Sequence, residues 1–267
     1  MTAYITSAKN PRIRDAVRLR DARHRRKQGR ILIDGVREIS RALATGIVPA
    51  GLYYCESLCR AAPARDLLRR AEAQGAELLC VAEPLFGKLA FGNRAEGIVA
   101  VAPAPNATLA ELSPPDGALV AVLEGLEKPG NVGAVLRSAD AAGVAAVIVA
   151  DGRTDLFNPN AIRASLGTIF TIPVAEATSA EALDWLGRRD FAIYAARVDG
   201  AVLYTEVDYT GSAAIVFGSE AEGLSGLWAA DRAQAVRLPM LGAADSLNVS
   251  VTAAVIFYEA VRQRRGR

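Results

Sequence analysis

Three short stretches of this 267-residue chain set polar side chains beside small residues, the combination that binding and proton handling require. The first is Glu124-Gly125-Leu126-Glu127-Lys128-Pro129-Gly130-Asn131-Val132-Gly133. Its glycines let a ligand approach the backbone, and Asn131 stands at a helix entrance, where free N–H groups attract anions. The same asparagine also reads as a plain helix cap. Arg137 follows about one and two-thirds turns later, so it needs tertiary context to share a site with Asn131. In the second stretch, Phe217-Gly218-Ser219-Glu220-Ala221-Glu222-Gly223-Leu224, an apolar strand ends on a small residue that leaves room for a flat ligand. Glu220 offers a carboxylate to hydroxyl groups or to an arginine, although Glu220 and Glu222 taken alone read as loop solvation. The third stretch runs from Val236-Arg237-Leu238-Pro239-Met240 through a glycine-containing loop to Ser246-Leu247-Asn248-Val249-Ser250. Pro239 suits a chain leaving a sheet, and Asp245 or Ser246 is placed to cap the helix that follows.

Other chemistries are disfavoured by what the chain lacks. Neither the Walker spacing nor G-x-G-x-x-G follows the first strand of the second half, which argues against nucleoside triphosphates and disfavours a nicotinamide cofactor. Cys55, Cys59 and Cys80 are too few for a disulfide framework, and with His24 as the single histidine no zinc site of ordinary spacing can be drawn, so no metal is expected. A histidine-based mechanism would have to rest on His24, in a basic tail.

Charge is unevenly spread. Residues 9–30 hold ten basic side chains, among them Arg23, Arg25, Arg26 and Arg30, against Asp15 and Asp21: a local +8 in a chain whose total is +2. Such a segment is the footprint of polyanion binding, and the shortage of acidic partners at i+4 favours nucleic acid over a solvated helix face. No apolar run reaches membrane-spanning length and no signal peptide is visible, so a cytoplasmic protein without membrane contact is expected.

The elements that must position these groups follow from hydrophobic periodicity. Strands are expected at 30–33, 52–54, 78–81 and 98–101, with helices at 36–44, 64–73 and around 85–89, after an irregular start over 1–8 and a basic helix opened by Asn10-Pro11. Pro103, Pro105, Pro114 and Pro115 mark 102–116 as a linker. Beyond it, strands at 119–123, 144–149, 169–174, 191–196, 213–217 and 235–238 alternate with helices at 133–142, 159–165, 180–188 and 225–231. The pattern is α/β: an open, mostly parallel sheet whose ligands sit at strand C-terminal ends. The chain is thus divided into 1–101, a linker at 102–116, and 117–267. The last helix, running to Arg262, carries Leu247, Val251, Ala254, Val255, Tyr258 and Val261 on one side and Val249, Ala253, Ile256 and Phe257 on another. Two apolar sides suit either a doubly buried helix or a subunit contact.

In order and separation, Asn131-Val132-Gly133-Ala134-Val135-Leu136-Arg137-Ser138-Ala139, the stretch from Phe217 to Leu224, and Leu238-Pro239-Met240 through Ser250 resemble the three motifs of the SpoU (TrmH) family of RNA 2′-O-ribose methyltransferases. The first hundred residues are similar in layout to the ribosomal-protein-like RNA-binding domain that many members carry. The thiostrepton- and avilamycin-resistance ribosomal RNA methyltransferases share this arrangement.

The resemblance implies a trefoil-knotted sheet of the SPOUT kind, a homodimer joined through the C-terminal domain, S-adenosylmethionine as cofactor, and a structured RNA, ribosomal before transfer, as partner. A link to antibiotic resistance is among its implications. Carried over by motif position, Gly218, Leu238, Met240 and Leu247 would hold the cofactor, with Ala195 and Ala196 beside its methionine part. Asn131, Arg137, Glu220, Ser246 and Asn248 would line the reacting centre, and Arg23, Arg25, Arg26 and Arg30 would bind RNA. A guanidinium is a reluctant base, so Arg137 is expected to fix a phosphate and orient the hydroxyl, with proton removal falling to Asn131, Ser246 or water. Two other readings are a non-catalytic RNA-binding platform on the same fold and a nicotinamide enzyme on an ordinary doubly wound sheet.

Overall fold

The computed structural model of the chain describes residues 3–90, 96–229 and 231–265. In chain order the first elements are β1 (Ala3–Ile5), α1 (Pro11–Arg18), α2 (Ala22–Gln28), β2 (Arg30–Asp34), α3 (Val36–Ala44), β3 (Gly51–Tyr54), α4 (Ala62–Ala73), β4 (Glu77–Val81), α5 (Glu83–Leu89) and β5 (Ile98–Pro103). They form a five-stranded mixed sheet in the order β1-β4-β3-β5-β2, with β5 antiparallel to both of its neighbours. The expected irregular start is corrected at Ala3–Ile5, which pairs parallel to β4 as an edge strand too short to show periodicity. The basic stretch is two helices rather than one. Asn10 caps the first, accepting from the Arg12 N–H, and Asp21 caps the second through the Arg23 N–H.

The second sheet begins with β6 (Leu119–Glu124), α6 (Pro129–Ala142) and β7 (Ala146–Ala150). The chain then leaves it: residues 157–171, with α7 (Pro159–Ala164), belong to the first compact unit, and α7 packs on β2. There the Arg41 guanidinium donates to the Leu166 carbonyl at 2.7 Å. A Cβ at Gly167 would lie 2.9 Å from the Glu38 backbone, so only glycine allows this approach. The chain returns as β8 (Val174–Ala177), α8 (Ser179–Gly187), β9 (Ala192–Ala196), β10 (Val202–Leu203), β11 (Ala213–Phe217), β12 (Gln234–Arg237) and α9 (Val249–Arg265). The units are residues 1–105 with 157–171, and residues 106–156 with 172–267.

The strand expected over 169–174 is corrected. Residues Thr168–Phe170 form a 3-10 turn, their apolar side chains buried in the first unit, and extended structure starts only after Pro173. The helix expected over 225–231 contracts to a 3-10 turn at Gly226–Trp228, with Ala230 outside the described residues.

Every pairing in the second sheet is parallel, in the order β10-β12-β9-β11-β6-β7-β8. Strands β6, β7 and β11 are buried along their whole length, as continuous apolar runs covered on both faces should be. Each Val, Ile or Leu buried there contributes about 1.5–3 kcal/mol. Helix α9 packs on α6 with Val249, Ala253, Ile256 and Phe257 inward, while Val251 and Tyr258 remain about half exposed.

Candidate active site

Leu123, Phe217, Ala196 and Val236 stand in one row across four adjacent parallel strands. The loops that follow these strands therefore leave the same edge side by side, the edge at which open α/β sheets bind ligands. All three stretches singled out in the sequence start or end there.

Between these loops lies a cavity of about 540 Å³, lined by Ala196, Gly218, Glu220, Leu238, Met240, Ser246 and Leu247 among others. That volume is within the range of cofactor sites. At the tip of β9 Ala196 lines it, while Ala195, fully buried, is not among the lining residues. Gly218 has a reason beyond leaving room for a ligand. A Cβ there would sit 2.3 Å from the Gly223 carbonyl, where the loop folds back through paired Ser219 and Gly223 backbone bonds of 3.2 and 3.0 Å.

Asn131 is not a helix cap. Lys128 holds that position, and the Asn131 side chain lies in the first turn of α6, donating through Nδ2 to Glu220 Oε1. Its Oδ1 accepts from Asn248 Nδ2 at 3.3 Å. Asn248, rather than Asp245 or Ser246, caps α9: its Oδ1 accepts from the Ser250 N–H at 3.0 Å and the Ser250 hydroxyl at 2.6 Å. One amide chain thus joins all three loops. Arg137 is exposed on α6 and does not line the cavity, so the fold alone does not bring it into that chain.

Two supporting groups escaped the sequence reading. Glu124, at the tip of β6, is buried and accepts hydrogen bonds from Ser179 Oγ (2.6 Å), Ser225 N (2.7 Å), Ser225 Oγ (2.8 Å) and Trp228 Nε1 (2.9 Å). Burial raises its carboxyl, but these donors outweigh burial and hold it below the usual carboxylate range. Arg153 bridges Glu127 of the first loop, at 2.8 Å, and Glu222 of the second. The only signal of Glu124 was a charge at the end of an apolar run.

In the first unit Arg23, Arg26 and Arg30 are exposed. Arg25 is corrected: it is 3% exposed, and its Nη1 donates to the carbonyls of Leu19 (2.7 Å) and Arg20 (2.8 Å), tying α2 to the preceding turn. Among the described residues, no group of three or more His, Cys, Asp or Glu is placed to hold a metal, and no helix is long and apolar enough to cross a membrane.

Comparison with known proteins adds the following. Residues 118–258 match the SpoU rRNA Methylase family, and residues 10–100 match the MRM3-like substrate binding domain. The chain is 38% identical over 218 residues to the 23S rRNA (guanosine-2′-O-)-methyltransferase RlmB of Bordetella pertussis, covering 80% of this chain and 89% of that one. A crystal structure of an RNA 2′-O ribose methyltransferase superposes with a TM-score of 0.86 at 43% identity, over 98% of this chain and 99% of that one. The SpoU methyltransferase AviRb from Streptomyces viridochromogenes, solved in complex with AdoMet, superposes with a TM-score of 0.87 at 30% identity, over 97% of this chain and all 100% of its own.

Proposed function

The chain belongs to the SpoU rRNA methylase family, and from that premise we propose that it transfers a methyl group from S-adenosylmethionine to a ribose 2′-hydroxyl of 23S ribosomal RNA. The observation that carries this is the meeting of three loops at one sheet edge, with a cofactor-sized cavity beside the Asn131–Glu220–Asn248 chain. The residues present fit the cofactor: a cavity floored by Leu238 and Leu247 and walled by Gly218 backbone offers apolar surface and unhindered peptide groups to a nucleoside. When bound, it supplies a sulfonium methyl group open to in-line attack.

The chain's own part is positioning. Glu220 holds Asn131 by its amide nitrogen and Asn248 holds the same amide by its oxygen, so Asn131 presents one fixed face to an incoming ribose. Ser246, exposed on the cavity wall, relays the hydroxyl proton, accepting it as its own hydroxyl proton passes to solvent water. Arg137, with its fork open to solvent, takes the phosphate beside the target ribose in a bidentate pair.

The first unit, with Arg23, Arg26 and Arg30 exposed, selects the RNA. The chain pairs with a second copy through α9, where Val251 and Tyr258 are exposed; sedimentation that finds only monomer contradicts this. The segment between β12 and α9 is taken as the strand-to-helix crossing of a trefoil knot, a reading favoured by β12 lying between β9 and β10. A cytoplasmic site of action is part of this reading, supported by the bacterial relatives being named for 23S rRNA, which in bacteria lies in the cytoplasm. Mass spectrometric mapping of ribose methylation in ribosomal and transfer RNA, after expression in a host lacking the protein, tests the proposal. A new 2′-O-methyl group in 23S RNA supports it; one confined to transfer RNA overturns the substrate.

A further inference from the structure

Directly after β9 the chain makes a tight turn, Arg197-Val198-Asp199-Gly200, at the wall of the cavity. The turn is built rather than loose. The Arg197 N–H donates to the Val236 carbonyl at 2.9 Å, and a Cβ on Gly200 would lie 2.8 Å from the Val236 backbone, so glycine lets the turn press onto β12. Within it Arg197 and Asp199 form a fork-to-fork pair, Nε to Oδ1 at 2.8 Å and Nη2 to Oδ2 at 3.0 Å. Val198, between them, is 70% exposed, so the pair is not sealed by a hydrophobic neighbour.

Among the described residues that line the cavity, Arg197 is the one cation; Asp199, Glu220, Glu222 and Asp245 are its acids. An α-amino acid carries its carboxylate and ammonium on one carbon and therefore calls for opposite charges side by side. A carboxylate entering this cavity has only Arg197 to answer it, and the carboxylate beside Arg197 stands where the ammonium would be. The guanidinium uses Nε and Nη2 on Asp199, which leaves the Nη1 donors for a ligand. Leu238 and Leu247 with the Gly218 backbone suit an aromatic base, and of the acids on the wall Asp199 is the one held side by side with the cation, as an α-amino acid requires.

We infer that the Arg197–Asp199 pair is the subsite for the amino-acid end of the cofactor, Arg197 taking the α-carboxylate and Asp199 the α-ammonium, so that it separates full-length adenosyl amino acids from truncated adenosyl thioethers. This rests on the cofactor assignment made above. The pair is a specificity element, not a catalytic one, since it touches none of the reacting atoms.

Calorimetric titration of the whole protein with S-adenosylhomocysteine and with 5′-methylthioadenosine tests it. The two are uncharged at sulfur and differ by the amino-acid end. The wild-type chain should bind the first about tenfold or more tightly than the second, the scale of charged hydrogen bonds. In Asp199→Asn and in Arg197→Gln that ratio should collapse towards one while 5′-methylthioadenosine binds as before, which also shows the cavity intact. An unchanged ratio in both variants overturns the inference and leaves the cofactor assignment standing. Equal loss of both ligands overturns it too, because the pair would then serve the cavity as a whole. If neither compound binds the wild-type chain, the cofactor assignment itself falls.

Discussion

The side-chain amide of Asn131 donates to Glu220 although 89 positions separate them in the chain. Because Asn248 Nδ2 fixes the other end of that amide, Asn131 has one orientation, and Glu220 sets it. Glu220→Ala should lower single-turnover methyl transfer about 100-fold, the cost of misplacing a reacting group, while calorimetric affinity for S-adenosylmethionine changes little. An unchanged transfer rate would remove Asn131 orientation from the account.

Arg137→Lys keeps the charge and loses the planar fork. Methyl transfer should fall by at least about tenfold at saturating cofactor, because a point charge cannot fix a phosphate bidentately. A lysine enzyme as fast as wild type would show that Arg137 contributes charge alone.

Glu124 is a stability device for the second loop. Glu124→Ala strands the Ser179 hydroxyl, the Ser225 amide and the Trp228 indole N–H, and should cost about 3 kcal/mol or more in denaturant unfolding at neutral pH. Its carboxyl is lowered on folding, so its contribution is fully present above the unfolded carboxylate value and is lost as pH falls through the folded one. The gap between wild type and variant should therefore narrow below about pH 4. A gap that stays constant to lower pH would contradict an ionised Glu124.

Neutralising Arg23, Arg26 and Arg30 to glutamine should reduce the slope of log affinity for RNA against log salt by about 2, since each phosphate contact releases counterions. Arg25→Gln should act differently, destabilising the first unit by freeing the Leu19 and Arg20 carbonyls, with little change in the salt slope. A triple variant with wild-type slope would place the RNA elsewhere on the unit.

The parallel sheet was legible because β6, β7 and β11 are apolar without interruption, and the three loops because strand, small residue and polar residue recur in that order. What joins the loops was not. Asn131 looks like a cap in sequence and becomes a link only when Glu220 and Asn248 arrive from distant turns. Arg25 is one arginine in a basic run until Leu19 and Arg20 curl their carbonyls around it. The stretch over 169–174 has the composition of a strand, but its first residues serve the other unit, so local pattern named the wrong element. The Arg197–Asp199 pair lies outside the three stretches and acquired meaning only from the cavity it borders.

The central claim is that the product carries its methyl on the ribose oxygen. Purified protein incubated with radiolabelled S-adenosylmethionine and unmodified 23S RNA, followed by alkaline hydrolysis, tests it directly, because a ribose lacking a free 2′-hydroxyl cannot assist cleavage of its own phosphodiester. The account predicts label in one alkali-resistant dinucleotide, lost in Glu220→Ala. Label released entirely as mononucleotides, marking a methylated base, or no label in RNA at all, would contradict it.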